Sequence, residues 1–277
     1  MQQTQHIEKI RNYYFNSRFG YKYLLWGSQH FGFYPKKISV SEKEAQVLMQ
    51  DLIGKKLNLS NSMRVLDAGC GRGIVATYLA NKFGCSIEAI DITPMLVEEA
   101  KAKAINLNLQ NVNFSLMNYS HMNFSNNYFD AIYTLETLCH SADVSKTLKE
   151  FYRVLKKGGK VALFEYTIAE DDEFSTNEMD MLRKVINGTA TEGLFRFRHG
   201  KFQNLLKEAG FRNVETGNIT ENVLPSLNRL RKYLLTPYFF VKITSSHEKY
   251  PNPTIAVEWY KLMKKGLWRY NIFTVTK

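Results

Sequence analysis

Cysteine is scarce, with three in 277 residues, and Cys70, Cys85 and Cys139 contain no Cys-x-x-Cys pair. An odd set of thiols at these spacings excludes a disulfide framework and a cysteine-built zinc site, so no metal is expected and a reducing cytoplasm fits best. Long apolar runs are also missing. The start, MQQTQHIEKIRNYYF, lacks the apolar stretch of a signal peptide, and the longest apolar segment, around Leu234 to Val241, is interrupted by Thr236 and Pro237. With no internal repeat and no low-complexity tract, what remains is a globular chain of the size of one α/β domain with appendages.

Charge is present but unevenly placed. The net charge is +11, yet residues 1–62 carry nine Lys/Arg against four Asp/Glu and residues 220–277 carry ten against three, which leaves the middle near neutral. Such flanks serve either as solvated faces or as surfaces for an anionic lipid or anionic substrate, so peripheral contact with a membrane is one expectation.

Between the flanks, short β-rich runs alternate with helical patterns, as βαβ units and a parallel sheet require. MRVLD reads as a strand, Ile74 to Phe83 as a helix, SIEAIDI as a strand and Pro94 as the early residue of the next helix. VNFSLM and FDAIYTL make the third and fourth strands. Asp143 to Leu155 reads as an amphipathic helix broken by Gly158 and Gly159, and KVALFEY as the fifth strand. FRNVETGNI and the final LWRYNIFTVTK supply a sixth and a seventh. The expected fold is a doubly wound, seven-stranded Rossmann-like α/β sheet. Residues 1–62 form a helical, aromatic-rich N-terminal cap on the domain of residues 63–277, and residues 220–266 form a basic, aromatic insertion before the last strand.

The chemistry is concentrated in VLDAGCGRG, Val65 to Gly73. Glycine at 69, 71 and 73 after a strand lets backbone N–H groups approach a ligand closely. The dinucleotide pattern Gly-x-Gly-x-x-Gly fails, because Ile74 stands at its third glycine. Asp67 at the loop entrance would repel a pyrophosphate and attract a cation, and S-adenosylmethionine (SAM) is cationic at its amino group and sulfonium. Asp91, at the end of the second strand, suits a bidentate grip on two ribose hydroxyls. Asn118 and Tyr119, after the third strand, stand where a side-chain carbonyl can take the adenine amino group, unless Asn118 simply serves a turn. The cofactor set is therefore Asp67, Ala68, Gly69, Cys70, Gly71, Asp91, Ile92, Met117, Asn118, Tyr119 and Leu135, with S-adenosylhomocysteine as the product left behind.

With these residues in view, the chain resembles class I SAM-dependent methyltransferases, and within them sterol 24-C-methyltransferase and related lipid and isoprenoid enzymes. YYFNSRFGYKYLLWGSQHF at Tyr13 to Phe31 is similar to that family's aromatic N-terminal block, LETLCH to its Glu-x-x-Cys-His segment and VLKKGGKVALFEY to its Lys-Pro-Gly-Gly strand entry, with Lys157 in place of proline. Met117 and Asn118 depart from the family's usual Gly-Asp. The resemblance covers residues 12–166 and implies methyl transfer to a small lipophilic acceptor, foremost C-methylation of a sterol- or isoprenoid-like alkene. Tyr14, Tyr23 and Trp26 are then expected to flank the acceptor, with Glu136, His140 or Glu165 handling charge and proton removal. The plainer readings are a histidine satisfying loop carbonyls and an aromatic cluster that is only a packed lid. N- or O-methylation of a quinone-like acceptor by the same fold is the rival activity. No nucleic-acid partner is expected, because LETLCH replaces the Asn/Asp-Pro-Pro-aromatic motif of base methyltransferases.

Overall fold

The computed structural model describes residues 2–25 and 27–277. Two helices, α1 (Gln2–Leu24) and α2 (Glu42–Leu57), precede the first strand. The sheet is then built by β1 (Arg64–Ala68), α3 (Ile74–Phe83), β2 (Ser86–Asp91), α4 (Pro94–Asn106), β3 (Val112–Leu116), β4 (Phe129–Leu135), α5 (Val144–Val154) and β5 (Leu155–Ile168). After α6 (Thr176–Thr189) and α7 (Phe202–Glu208), β6 (Arg212–Asn218) leads into the helices α8 (Thr220–Ile243), α9 (Pro251–Thr254) and α10 (Tyr260–Lys265), and β7 (Trp268–Thr276) returns to the sheet.

The seven strands lie in the order β3-β2-β1-β4-β5-β7-β6, with β7 antiparallel between β5 and β6. The order reverses between β1 and β4, so both send their carboxyl ends toward one crevice, where ligands bind in such sheets. Buried on both faces, β1, β4 and β5 read as near-continuous apolar runs.

One element departs from its sequence pattern. Gly158 and Gly159 do not end α5, which stops at Val154; they lie within β5, where the pairing jumps from Phe129↔Leu155 to Ala131↔Lys160. Gly159 is needed because a Cβ there would meet the Asp130 carbonyl oxygen at 2.9 Å. A bulge with a close backbone approach, rather than a helix stop, is what the glycine pair encodes.

The N-terminal segment is latched to α8 through a buried acid. Glu42 accepts hydrogen bonds from Ser226 Oγ (2.7 Å), Arg229 Nε (3.0 Å) and Tyr34 OH (2.9 Å). The guanidinium of Arg229 also donates to the Leu24 carbonyl at 2.5 Å, and Ser226 Oγ accepts from Gly32 N at 2.9 Å. Removing one partner of a buried, hydrogen-bonded pair strands the other, so Glu42→Ala should lower unfolding stability by ~3 kcal/mol in a urea titration.

Candidate active site

The site begins where β1 ends. Gly69 and Cys70 both donate their N–H to the Ile90 carbonyl of β2 (2.8 and 3.0 Å), folding the glycine loop back over the sheet edge. Gly71 has φ +51°, and a Cβ on it would stand 2.0 Å from Gln29 Oε1. A Cβ on Gly69 would meet the Thr137 side chain at 2.2 Å. The glycines thus let Gln29 and Thr137 pack directly on the loop backbone, which a Cβ at either place would prevent. A narrow cleft runs along it, lined among others by Asp67, Gly69, Cys70, Gly71, Asp91, Ile92, Tyr119 and Leu135.

Two carboxylates shape this cleft, Asp67 buried and Asp91 half-buried. Asp91 accepts from Gly71 N (3.0 Å) and Thr93 N (2.8 Å), which holds its head at the mouth of β2 beside the loop. Asp67 accepts from Tyr133 OH at 2.6 Å, and burial pushes its carboxyl up to about 7 despite that bond. Burial raises Asp91 as well. Acids desolvated in this way, with no ion pair among the described residues, are stabilised by a cationic ligand. The set fits SAM through its acids, Asp67 for the amino group and Asp91 for the ribose, while the loop N–H groups are spent on the Ile90 carbonyl, Asp91 and Gln29.

A second cavity, of about 280 Å³, lies beside the first and is walled by Tyr13, Tyr14, Tyr21, Phe31, Tyr166 and Trp259, with Leu230 and Leu234 from α8. Tyr14, Gln29, His30, Glu136 and His140 line both spaces, so they form the partition between them. Glu136 follows β4 with φ +57°, a left-handed conformation that a non-glycine residue adopts at a cost. That turn aims its carboxylate into the partition, where it accepts from Tyr166 OH (2.5 Å), Tyr270 OH (2.9 Å) and Phe31 N (2.9 Å). Burial, the largest influence, pushes it up to about 7.

His140 is neutral here. Its Nδ1–H donates to the Ala190 carbonyl (3.0 Å), leaving Nε2 to accept from Tyr14 OH at 3.0 Å, and burial lowers it to about 4. The satisfied-loop reading of this histidine and its place in the cavity wall therefore hold together.

Several expected residues sit elsewhere. Tyr23 is 68% exposed on the outer face of α1 and touches neither cavity. Glu165 is fully buried below the partition: its Oε1 accepts from Leu138 N (2.7 Å) and Thr137 N (3.1 Å), fixing the turn after β4, while Oε2 has no partner. Burial raises it to about 8, and its hydrogen bonds make it a brace for that turn rather than a cavity base. Asn118 spends its side-chain oxygen on Ser120 N at 2.8 Å, the turn alternative, and borders a neighbouring groove. Met117 meets Asp91 only through its backbone, and Ala68 is buried in β1 beneath the cleft. Trp26 lies outside the described residues. Among the described residues no cluster of His, Cys, Asp or Glu could hold a metal ion.

Sequence reasoning missed Gln29, Tyr133, Tyr166 and Tyr270. The tyrosines were findable from register, since Tyr133 is the parallel partner of Asp67 and Tyr166 lies across from Tyr270. Gln29 carried no signal, because only the folded path of the 25–41 loop brings it to Gly71.

The desolvated acids set a pH dependence. Unfolded, carboxyls titrate near 4; folded, Asp67 and Glu136 hold their protons to about 7. Between those values the folded state binds more protons, so stability falls as pH rises through that window and levels off above it. Asp67 and Glu136 alone should cost the ligand-free protein up to ~5 kcal/mol between about pH 5 and pH 7 in chemical unfolding, with Glu165, raised to about 8, extending the loss to about pH 8, and a cationic ligand should restore part of it.

Comparison with known proteins agrees with this geometry. Residues 66–163 match the model of the Methyltransferase domain family. A SAM-dependent Diels-Alderase, iccD, of Talaromyces variabilis is 32% identical over 97% of this chain and 94% of that protein. Sterol 24-C-methyltransferase of Saccharomyces cerevisiae is 27% identical over 71% of this chain and 51% of its own length. The cyclopropane synthase MmaA2 of Mycobacterium tuberculosis superimposes with a TM-score of 0.84 at 16% identity, covering 98% of both chains, which speaks for the fold. The glycine loop, the two carboxylates behind it and these likenesses converge: the chain belongs to the class I SAM-dependent methyltransferase family.

Proposed function

We propose that this enzyme C-methylates an alkene carbon of a small, uncharged isoprenoid-like acceptor held in the aromatic cavity. The observation that carries the reading is the half-buried Glu136 carboxylate, held in the partition by three hydrogen-bond donors with, among the described residues, no Lys or Arg lining the acceptor cavity. When bound, SAM supplies an electrophilic methyl group on a sulfonium. An alkene attacking that methyl becomes a carbocation, and the cavity offers what a cation needs: tyrosine and tryptophan faces and one carboxylate. Glu136 is also matched to taking the final proton, since its carboxyl titrates near neutrality. Tyr14, held by His140, sets one wall of the cavity and keeps water from the partition.

Heteroatom methylation fits less well. A hydroxyl nucleophile would need a base, and with both ring nitrogens of the neutral His140 committed that task would fall to Glu136 alone. The absence of lining cations also favours an uncharged acceptor over a diphosphate. At about 280 Å³ the space lies at the small end of ligand pockets, roughly 300–1,000 Å³, which suits a short chain better than a sterol.

A second reading has its own support in the Diels-Alderase that matches nearly the whole chain. In a Diels–Alder reaction diene and alkene join into a ring without gain or loss of atoms, so the cofactor would remain unspent. Product mass separates the two. Labelled-methyl transfer into a panel of polyenes, isoprenoids, sterols and quinones should give a product one methylene heavier; an isomer of unchanged mass would replace the first reading by the second. Glu136→Gln should lower methyl-transfer turnover by ~10²–10³-fold, the scale for losing one preorganised charge-stabilising group, with a smaller change in cofactor binding by calorimetry. Equal turnover would sink the assignment of Glu136.

A further inference from the structure

The outer faces of α1 and α8 carry large apolar side chains in water. On α1, Phe15, Phe19 and Tyr23 are 52%, 58% and 68% exposed; on α8, Tyr233, Phe239, Phe240 and Ile243 are each about as open. Their spacing on α1 is that of one helical stripe. An apolar patch of this kind on a soluble domain marks an interaction surface.

Cations predominate on the patch, with Glu8 and Glu248 at its far end, where they line the groove between the two helices. From Lys9 to Ser41 the chain holds six Lys/Arg and no acid, and from Asn222 to His247 four Lys/Arg and no acid. Cations and aromatics are interleaved: Arg18 lies over the rings of Phe15 (4.0 Å) and Phe19 (4.6 Å), and Lys22 over Tyr23 (5.5 Å). Aromatic rings flanked by Arg and Lys suit the boundary between lipid headgroups and acyl chains, where rings enter the apolar layer and cations meet anionic headgroups.

The position of the patch gives it a purpose. The Leu24 carbonyl at the end of α1 meets Arg229 of α8, and farther along Asn12 and Asn16 of α1 and Phe240 and Val241 of α8 line one groove. Gly20, Tyr21 and Leu24 on one side and Leu230 and Leu234 on the other are inner walls of the acceptor cavity. The seam between α1 and α8 therefore has the patch on its outer side and the cavity wall on its inner side. Among the described residues no helix is long and apolar enough to cross a membrane, so the contact is a surface one.

We infer that the α1–α8 face docks on an anionic lipid bilayer, with the seam turned toward the lipid so that an apolar acceptor enters from the membrane. Only the entry route rests on the proposed function; the docking itself is measured without turnover, so failure of one leaves the other standing. The test is co-sedimentation of the full chain with vesicles of phosphatidylcholine alone and of phosphatidylcholine containing phosphatidylglycerol. The expected result is partitioning onto the anionic vesicles only, weakening as salt rises, and about tenfold weaker for Phe239→Ser/Phe240→Ser and for Arg18→Glu/Lys22→Glu. Unchanged binding of S-adenosylhomocysteine by the variants shows that they fold. Equal, low partitioning onto both vesicle types overturns the inference, and so does a dimer in solution that the same substitutions dissociate, because the face would then belong to a second copy of the chain.

Discussion

Desolvation of acids at the carboxyl edge of the sheet is the constraint on which the rest of the structure depends. Asp67 and Glu165 are buried and Asp91 and Glu136 half-buried at the ends of four neighbouring strands, and each is raised by desolvation. A buried carboxylate is costly without a partner, and the chain answers that cost with donors rather than cations: backbone N–H groups at Asp91 and Glu165, tyrosine hydroxyls at Asp67 and Glu136. The donors fix each head in place but leave net negative character, which a cationic ligand can complete. Glu165, with one oxygen unpartnered, lies outside both cavities and serves the turn after β4.

This arrangement explains why so much of the chain is spent on tyrosine. Tyr133 reaches Asp67 from the adjacent strand, and Tyr166 and Tyr270 reach Glu136 from β5 and β7. A phenol donates a hydrogen bond while its ring packs in the core, so it satisfies a buried acid without importing a second charge. An arginine in the same places would neutralise the site. The antiparallel β7 matters for the same reason: it returns from the helical insertion carrying Tyr270, so the segment that walls the acceptor cavity also closes the shell around Glu136.

The fold was legible because its signals are local. Alternating apolar runs, glycines after β1 and Pro94 at the start of α4 report on their own neighbourhoods, and the strands and the crevice follow from them. The cofactor cleft was legible in part for the same reason, since Asp67, the glycines and Asp91 fall at strand ends. What failed depended on distant chain. Glu165 looked like a cavity acid from its strand position, but its head is covered by the turn at Thr137 and Leu138. Tyr23 looked like a wall residue from its place in an aromatic block, but helical phase turns it outward while Tyr14 and Tyr21 face in. Gly158 and Gly159 looked like a helix stop because a bulge in a strand leaves the same mark in sequence.

The partition between the two cavities carries one more implication. Gln29, whose oxygen accepts from Arg72 N at 3.2 Å beside Gly71, is also a wall of the acceptor space. A ligand that moves this side chain on one side redraws the surface on the other. The two binding equilibria are then linked, and linkage is reciprocal: whatever factor the cofactor confers on acceptor affinity, the acceptor confers on the cofactor. A loop residue with no catalytic chemistry of its own thereby makes donor and acceptor sense each other's presence.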